Sequence, residues 1–548
     1  MTDEKTIRML ALANAVEHGG RADAGSVLGK LVALDPSTKQ KIKELIPAIQ
    51  NAVSEVNSMD IESQKSALES TGYKSPEKKE EKTGLPELPG AKRGKVVTAF
   101  PPEPSKYPHL GHAKSALINF EYARMYNGKF VLRFEDSNPE IAKSEYYKAI
   151  MDGLKWLGIK WDSLDYLSDH IPQYYAAIEK LIKQNDAYVC QCDQEKVKKL
   201  RHEGRECEHR SVSVETNLNL WKKMLKDMKP GSATVRMRID MSHANTTLRD
   251  PSIARIIDSS HPRTKRKYRV WPTYDFGTSM LDAWEKITHR IRTKEFELRK
   301  ELQDYILRAL GFKPPHISEI GRFEIKDTTT KGREIREGIS RKIYLGWDDP
   351  RLTTLSALKR RGFMPAAIKE FLLSTGMTKS ESMYEWQVIE AFNRKSVDPI
   401  SDRYFAVLDP IKVKIDGLSP VEIEVPIRPG SKKMRKIIIK SNDIFLDKQD
   451  VGNMKGMKSG LMFLCTVNMG EVIRFVSREI YQETPKIHWV PTPGVKIKVI
   501  MPDGSVKSGI AEPAVGKLKV GQIVQFYRVG FCRIDSKGKE ITLYFTHN

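Results

Sequence analysis

The sequence predicts a multidomain α/β chain, helical at its start and β-rich at its end. Three observations carry this. At 548 residues the chain exceeds what one hydrophobic core spans, so about three or four domains are expected. A short strand, a helix and a second strand follow one another between Lys95 and Phe134, the order of a parallel βαβ unit. Beyond Asp398, alternating runs such as "KVKI", "VEIEV" and "EITLYF" sit between Gly and Pro turns, the pattern of β-barrels.

Residues 1–72 read as helical. Asp35-Pro36-Ser37 marks a helix start, and Leu45, Ile49 and Val53 recur at helical spacing. Residues 73–94, within "YKSPEKKEEKTGLPELPGAKRGK", are too charged to bury and form a linker. "KVVTAF" is a β-branched run suited to a buried strand. Ala113, Ala116, Leu117, Phe120 and Ala123 then mark one apolar helix face, stopped by Asn127-Gly128. "KFVLRF" is the second strand, with Glu135-Asp136 at its carboxyl end. The stretch from about 185 to 270 is mixed, strand and helix return through "YDFGTSMLDAWEKITHRIRTKEFELRKEL", and helices resume at 345–398.

Composition narrows the function. The chain is 40% apolar and 30% charged, with a formal net charge of +22. No apolar run reaches the roughly 20 residues of a membrane helix, and "MTDEKTIRML" lacks a signal peptide's pattern; a cytoplasmic protein with no membrane partner is expected. Excess Lys and Arg attract polyanions, nucleic acid above all. Five cysteines in so long a chain are reduced thiols or metal ligands rather than a disulfide framework.

One segment concentrates chemistry. "FPPEPSKYPHLGHAKSALIN" packs four prolines into the nine residues Phe100–Pro108, then opens a helix with His109-Leu110-Gly111-His112. The prolines fix the loop in advance. Unpaired N–H groups at a helix start favour an anion, and histidines three apart share a face. The pattern fits a seat for nucleotide phosphates, with Gly111 clearing space beside the backbone.

This segment resembles the His-x-Gly-His signature of class I aminoacyl-tRNA synthetases, in the form of the glutamyl and glutaminyl branch. "RFEDSNPEIAKSEYYKAIMDGLKWLGIKWD", "LRDPSIARI", "WPTYDFGTSMLDAWEKITHRIRTKEFELRKEL", "GISRKIYLGWDDPRLTTLSALKRRGF" and "SDRYFAVLDPIKVKI" continue it in family order. The resemblance, closest to the archaeal or eukaryotic type, implies a Rossmann-like catalytic core over 95–344 with an acceptor-binding insertion at about 185–270. A helical stem-contact region at 345–398 and anticodon-binding barrels at 399–548 would follow, with 1–72 as a helical appendage.

It also implies a reaction: glutamate attacks the α-phosphate of ATP, Mg²⁺ accompanies the nucleotide, and the glutamyl group passes to tRNA. Such chemistry works by positioning and charge stabilisation rather than a side-chain nucleophile. By resemblance, Pro102, Pro104, His109, Leu110, Gly111 and His112 would hold ATP together with Ser340, Arg341 and Lys342, where "GISRK" replaces the usual Lys-Met-Ser-Lys-Ser loop. Glu103 and Glu135 would hold the substrate's amino group, Tyr274 and Thr278 would line its side chain, and Arg292 would meet its second carboxylate, as in glutamyl members. Ala99 departs from the family, many of whose members carry an arginine there, so a second cation is expected to be missing.

Two alternatives stay open: a glutamine–tRNA ligase, and an inactive tRNA-binding relative. The resemblance makes tRNA(Glu) the expected partner of a monomer and leaves tRNA(Gln) undecided. Lys359, Arg360 and Arg361 are candidate tRNA contacts, as is the run "SKKMRKIIIK". Finally, Cys190 and Cys192 with Cys207 and His209 offer Cys-x-Cys and Cys-x-His pairs, a tetrahedral donor set suited to structural zinc, or else reduced thiols on a polar loop.

Overall fold

The computed structural model describes residues 4–34, 38, 42–73 and 84–548. It divides into two compact units, Met1–Gly84 and Leu85–Asn548. Residues 74–83 of the predicted linker and the helix-start signal at Asp35-Pro36-Ser37 lie outside the described residues. The rest of that segment does not stay unburied as expected: Leu88 is buried with Val96, Ile118 and Tyr122, and Leu85 and Ala91 pack beside it, because its few apolar residues find a face of the second unit.

The first unit contains the helices Glu4–Glu17, Ala24–Leu34, Ile42–Asn57 and Ile61–Ser70. Ile7, Leu10, Val27, Leu31, Ile49 and Val56 form its core. Of the three residues at helical spacing, Ile49 is buried while Leu45 and Val53 pack at its margin. Gln64 is fully buried, and its amide donates to the Gly20, Val56 and Met59 carbonyls at 3.0, 2.9 and 3.1 Å. Those bonds satisfy the amide N–H groups that burial would otherwise penalise, while Oε1 is left without a partner.

In the second unit the predicted βαβ order forms. Val97–Phe100, Lys129–Phe134 and Ser163–Tyr166 make a parallel three-stranded sheet, and the helix Leu110–Met125 joins the first two strands. Ala113, Ala116, Leu117 and Ala123 are buried along that helix, as their spacing requires. A parallel pair, His289–Thr293 with His316–Ile320, lies beside the first strand, where the Val97 N–H donates to Thr288 Oγ1 at 2.8 Å. The mixed segment is an antiparallel four-stranded sheet over residues 187–272, carried between the parallel elements.

After the helices Leu355–Arg361, Pro365–Ser374 and Trp386–Val397, the chain builds two seven-stranded half-barrel sheets. Arg403–Tyr404 and Ala406–Leu408 start one of them, which is completed only by strands after Val495. Residues 410–491 fill the other sheet and an accessory hairpin, Val421–Pro426 with Met434–Ile439. Among the described residues no helix is long and apolar enough to cross a membrane.

Candidate active site

A cavity of about 580 Å³ opens at the carboxyl ends of the parallel strands, the usual place for a ligand in a parallel sheet. The proline-stiffened loop forms one lip, held because the Glu135 N–H donates to the Pro102 carbonyl at 3.1 Å and the Lys143 N–H to the Pro104 carbonyl at 3.2 Å. Pro102, Glu103, His109, Gly111, His112, Glu135, Tyr274 and Arg292 all line the cavity. Pro104 and Thr278 are buried behind its wall.

His109 caps the helix in an extended conformation, and its Nδ1 accepts the Gly111 N–H at 3.1 Å. His112 Nδ1 accepts the His109 N–H at 3.3 Å, and the ring centroids are 4.0 Å apart. Both Nδ1 atoms are therefore acceptors, which places the proton of each neutral ring on Nε2. Burial, reinforced by His112 and Lys106, drives His109 well below the ordinary imidazole range. Burial and then Lys106 bring His112 down to about 3. The pair consists of two neutral N–H donors rather than two cations. Gly111 has a steric role: a Cβ there would stand 2.9 Å from His109 Cε1, so only glycine lets the ring fold back over its own helix.

Leu110 departs from expectation. It is buried among Ala113 and Leu117, and its N–H is spent on the Thr353 carbonyl at 3.1 Å. It anchors the helix start and does not line the cavity.

Opposite the histidines lies a buried ionic network. Arg133, fully buried, pairs with Asp282 and Glu285 at 2.8 Å each and with Glu135 at 3.2 Å. Arg290 pairs with Asp282 at 3.0 Å and reaches Glu135 at 3.8 Å. Thr278, beneath them, donates to Glu135 and accepts from Arg133 and Arg290. Burial raises the Glu135 carboxyl against the pull of Arg133 and Arg290, and lifts Glu285 to about 7.

Arg292 is different. It is buried, yet among the described residues it forms no ion pair. Its Nη1 donates to Gln303 Oε1 at 2.6 Å, its Nη2 to the Phe296 carbonyl at 3.0 Å, and its Nε has no partner. Burial and then Arg290 pull its pKa down. Tyr274 lies alongside, 5.3 Å from the Phe296 ring.

Ala99 brings no cation to the cavity, and the other guanidinium beside Arg292 on that wall is paired with Asp282 and Glu135. The alanine packs inward against Val131 and Ile287, and that guanidinium belongs to Arg290, two residues before Arg292 on the same strand face. Sequence reasoning passed over Arg290, although "HRIR" carried that alternation. It also passed over Lys106 and Lys114, which line the cavity too.

Ser340, Arg341 and Lys342 end the helix Gly332–Ser340 and do not line the cavity. Ser340 Oγ donates to the Glu337 carbonyl at 2.8 Å, Arg341 pairs with Glu337 at 2.6 Å, and Lys342 takes a left-handed φ of 59°. Gly338 allows this packing, since a Cβ would fall 2.4 Å from the Tyr344 ring.

Two of the three candidate tRNA cations serve the fold. Arg361 is 1% exposed, donates to the Thr546 carbonyl at 2.8 Å and lies 4.6 Å from the Trp386 ring. Arg360 pairs with Asp348 at 2.8 Å and with Asp535 at 2.9 Å. Both tie the helices to the last sheet, and only Lys359 is exposed.

In the inserted sheet Cys190, Cys192, Cys207 and His209 present donor atoms all within 4.8 Å of one another. Cys190 and Cys207 sulfurs are 3.8 Å apart, and Cys192 Sγ is 3.4 Å from His209 Nδ1. Such spacings suit a tetrahedral ion bound by sulfur and nitrogen. Arg236 supports the fit: it is fully buried, forms no ion pair among the described residues, and sets Nη1 3.9 Å from both Cys190 and Cys207 Sγ. A metal-bound set of three thiolates carries the negative charge that cation needs.

A parallel core, a stiffened loop and paired imidazole donors at a helix start suit the binding of an anionic ligand at the carboxyl edge of the sheet. The family described as tRNA synthetases class I (E and Q), catalytic domain, matches residues 95–399, and its anticodon binding domains match 401–483 and 486–535. The chain belongs to this family. Among its relatives are the glutamate–tRNA ligases of Pyrococcus furiosus, at 40% identity over 99% of this chain and 100% of that protein, and of Pyrococcus horikoshii, at 41% over 100% of each. That of Korarchaeum cryptofilum is 40% identical over 100% of this chain and 99% of its own.

Proposed function

We propose that this chain is a glutamate–tRNA ligase: it joins the α-carboxylate of L-glutamate to the α-phosphate of ATP, releases pyrophosphate, and passes the glutamyl group to the terminal ribose of tRNA. The observation that carries glutamate over glutamine is Arg292, a buried guanidinium served only by neutral acceptors. A substrate carboxylate would complete its pairing, whereas a neutral amide would leave a buried charge uncompensated.

In this reading Glu135 and Glu103 hold the substrate ammonium, and Tyr274 packs along its methylenes. Thr278 acts through Glu135, fixing its carboxylate. The attacking oxygen meets the α-phosphorus between that pocket and the histidines. Nε2–H groups of His109 and His112 donate to the charge that builds on the phosphate oxygens, and no proton leaves either ring. Mg²⁺, when bound with ATP, supplies further charge neutralisation. Ser340, Arg341 and Lys342 close on the triphosphate by a movement of their loop. Zinc at Cys190, Cys192, Cys207 and His209 would hold the insertion that receives the acceptor end, and Lys359 and the basic hairpin would meet tRNA phosphates. The enzyme would act as a cytoplasmic monomer.

Acylation of separately purified glutamate and glutamine tRNAs with labelled glutamate, and with labelled glutamine as control, tests the reading. Glutamate transfer to tRNA(Glu) is expected, and the tRNA(Gln) arm decides whether that acceptor is also charged. Charging with glutamine alone, or none at all, would refute it.

A further inference from the structure

Positive charge at the histidine end of the cavity has to come from outside the imidazoles, which are neutral. Arg341 is paired with Glu337 and lies off the wall with Lys342. Arg322, on the far lip, is shared between Glu295 at 3.2 Å and Glu324 at 3.6 Å. Lys114, still a cation at neutral pH although burial brings it down to about 8, directs its ammonium over the Phe323 ring at 5.4 Å.

Lys106 remains. It lines the same cavity three residues before His109. Its Nζ makes one bond, to the Thr330 carbonyl at 3.0 Å, and among the described residues it forms no ion pair. An ammonium has three donors, so two are unspent. The stem of Lys106 is also built into the neighbouring helix. A Cβ on Gly332 would stand 3.1 Å from both its Cβ and Cδ, and Arg336 Nη1 reaches back to the Ser105 carbonyl at 2.7 Å.

We propose that Lys106 binds the phosphates of ATP that depart as pyrophosphate, and that its exchange of Thr330 for phosphate couples nucleotide arrival to the loop of Ser340, Arg341 and Lys342. The proposal rests on the adenylate-forming reading above. Lys106 supplies one lasting charge beside two neutral donors. That charge itself helps keep both imidazoles neutral. Burial, then Arg322 and Arg336, lower the ammonium's pKa against Glu103 and Glu295, and a bound polyanion relieves that cost. In the reaction the glutamate oxygen forms its bond to the α-phosphorus as the bond to the β-phosphate bridge breaks. Lys106 stays protonated throughout.

Pyrophosphate exchange on the full chain, with tRNA and glutamate present, provides the test. Lys106→Ala is expected to raise KM for ATP and for pyrophosphate roughly ten- to a hundredfold, the weight of one or two charge-assisted bonds, with KM for glutamate within about twofold. Lys106→Arg should restore most of the loss by keeping the charge. Wild-type exchange that fails to depend on glutamate would sink the functional reading. Wild-type exchange with unchanged nucleotide constants in Lys106→Ala would sink this proposal alone. Should the alanine variant misfold, amine acylation of the native wild type, read by mass spectrometry, decides. ATP with Mg²⁺ should protect Lys106 several-fold relative to exposed Lys359, and equal labelling would overturn the assignment.

Discussion

Arg292 Nη1 donates to Gln303 Oε1 at 2.6 Å, and no carboxylate pairs with this buried guanidinium among the described residues. Nearby Arg290 and Arg133 divide Glu135, Asp282 and Glu285 between them. None of those three acids pairs with Arg292, which leaves that cation available to a ligand. Arg292→Cys should therefore raise KM for glutamate by about a hundredfold or more, the scale of a lost buried charge pair. KM for ATP should stay within about threefold. Steady-state exchange kinetics in both substrates checks this, and unchanged glutamate kinetics would remove the pocket assignment.

The histidine pair predicts a pH dependence of stability. His112 falls from its ordinary 6.5 to about 3 in the fold, through burial and Lys106. As pH drops from about 6.5 toward 3, the unfolded chain takes a proton that the fold refuses, so the stabilising contribution is lost on that side. Thermal melts of wild type should decline across this window, and His112→Gln should flatten the decline. Replacing both His109 and His112 by Ala should lower adenylate formation by about a thousandfold or more, measured by exchange at neutral pH.

Gly111 offers a sharper geometric test. Its missing Cβ leaves room for the His109 ring at 2.9 Å. Gly111→Ala should cost little in melting temperature, since alanine is the better helix former. Exchange rate should fall at least tenfold, because the ring must rotate off its bond with the Gly111 N–H. A folded variant with full activity would show that this ring orientation is dispensable.

These contrasts mark how far the sequence could be read. The helix face through Ala113, Leu117 and Ala123 was legible because periodicity records burial directly. Cys190, Cys192, Cys207 and His209 were legible because short local spacings already bring ligand pairs together. Arg290 was half legible: alternation sets it on the face of Arg292, but only the assembled network shows which arginine is spent on acids. Arg361 was illegible, because its partners Trp386 and Thr546 come from distant segments. Lys106 looked like one lysine in a basic chain until Thr330 and Gly332 appeared beside it.

The buried arginine and its exposed neighbour should separate cleanly on mutation. Arg361→Ala removes a guanidinium held by Thr546, Pro350 and Glu390 and should destabilise the chain by about 3–5 kcal/mol. Lys359→Ala should leave stability within about 0.5 kcal/mol. Its effect should appear in tRNA affinity instead, reducing the slope of log affinity against log salt by about one. Denaturant melts and salt-dependent filter binding distinguish the two.

The cysteine cluster predicts a bound metal that folding depends on locally. Three sulfurs and one imidazole nitrogen lie within 4.8 Å, and Arg236 faces two of the sulfurs without a carboxylate of its own. Metal analysis after extensive dialysis should find about one zinc per chain, as a closed tetrahedral donor set implies. Chelation, or Cys207→Ser, should release the ion and strip Arg236 of its compensating charge, so the inserted sheet loosens while the histidine helix holds. Hydrogen exchange would then accelerate across 187–256 and remain unchanged across 110–125. If the insertion receives the acceptor end as proposed, glutamate- and ATP-dependent charging should weaken chiefly through KM for tRNA. Zinc-free protein with native exchange rates across the insertion would show instead that the thiols are simply reduced cysteines packed beside an arginine.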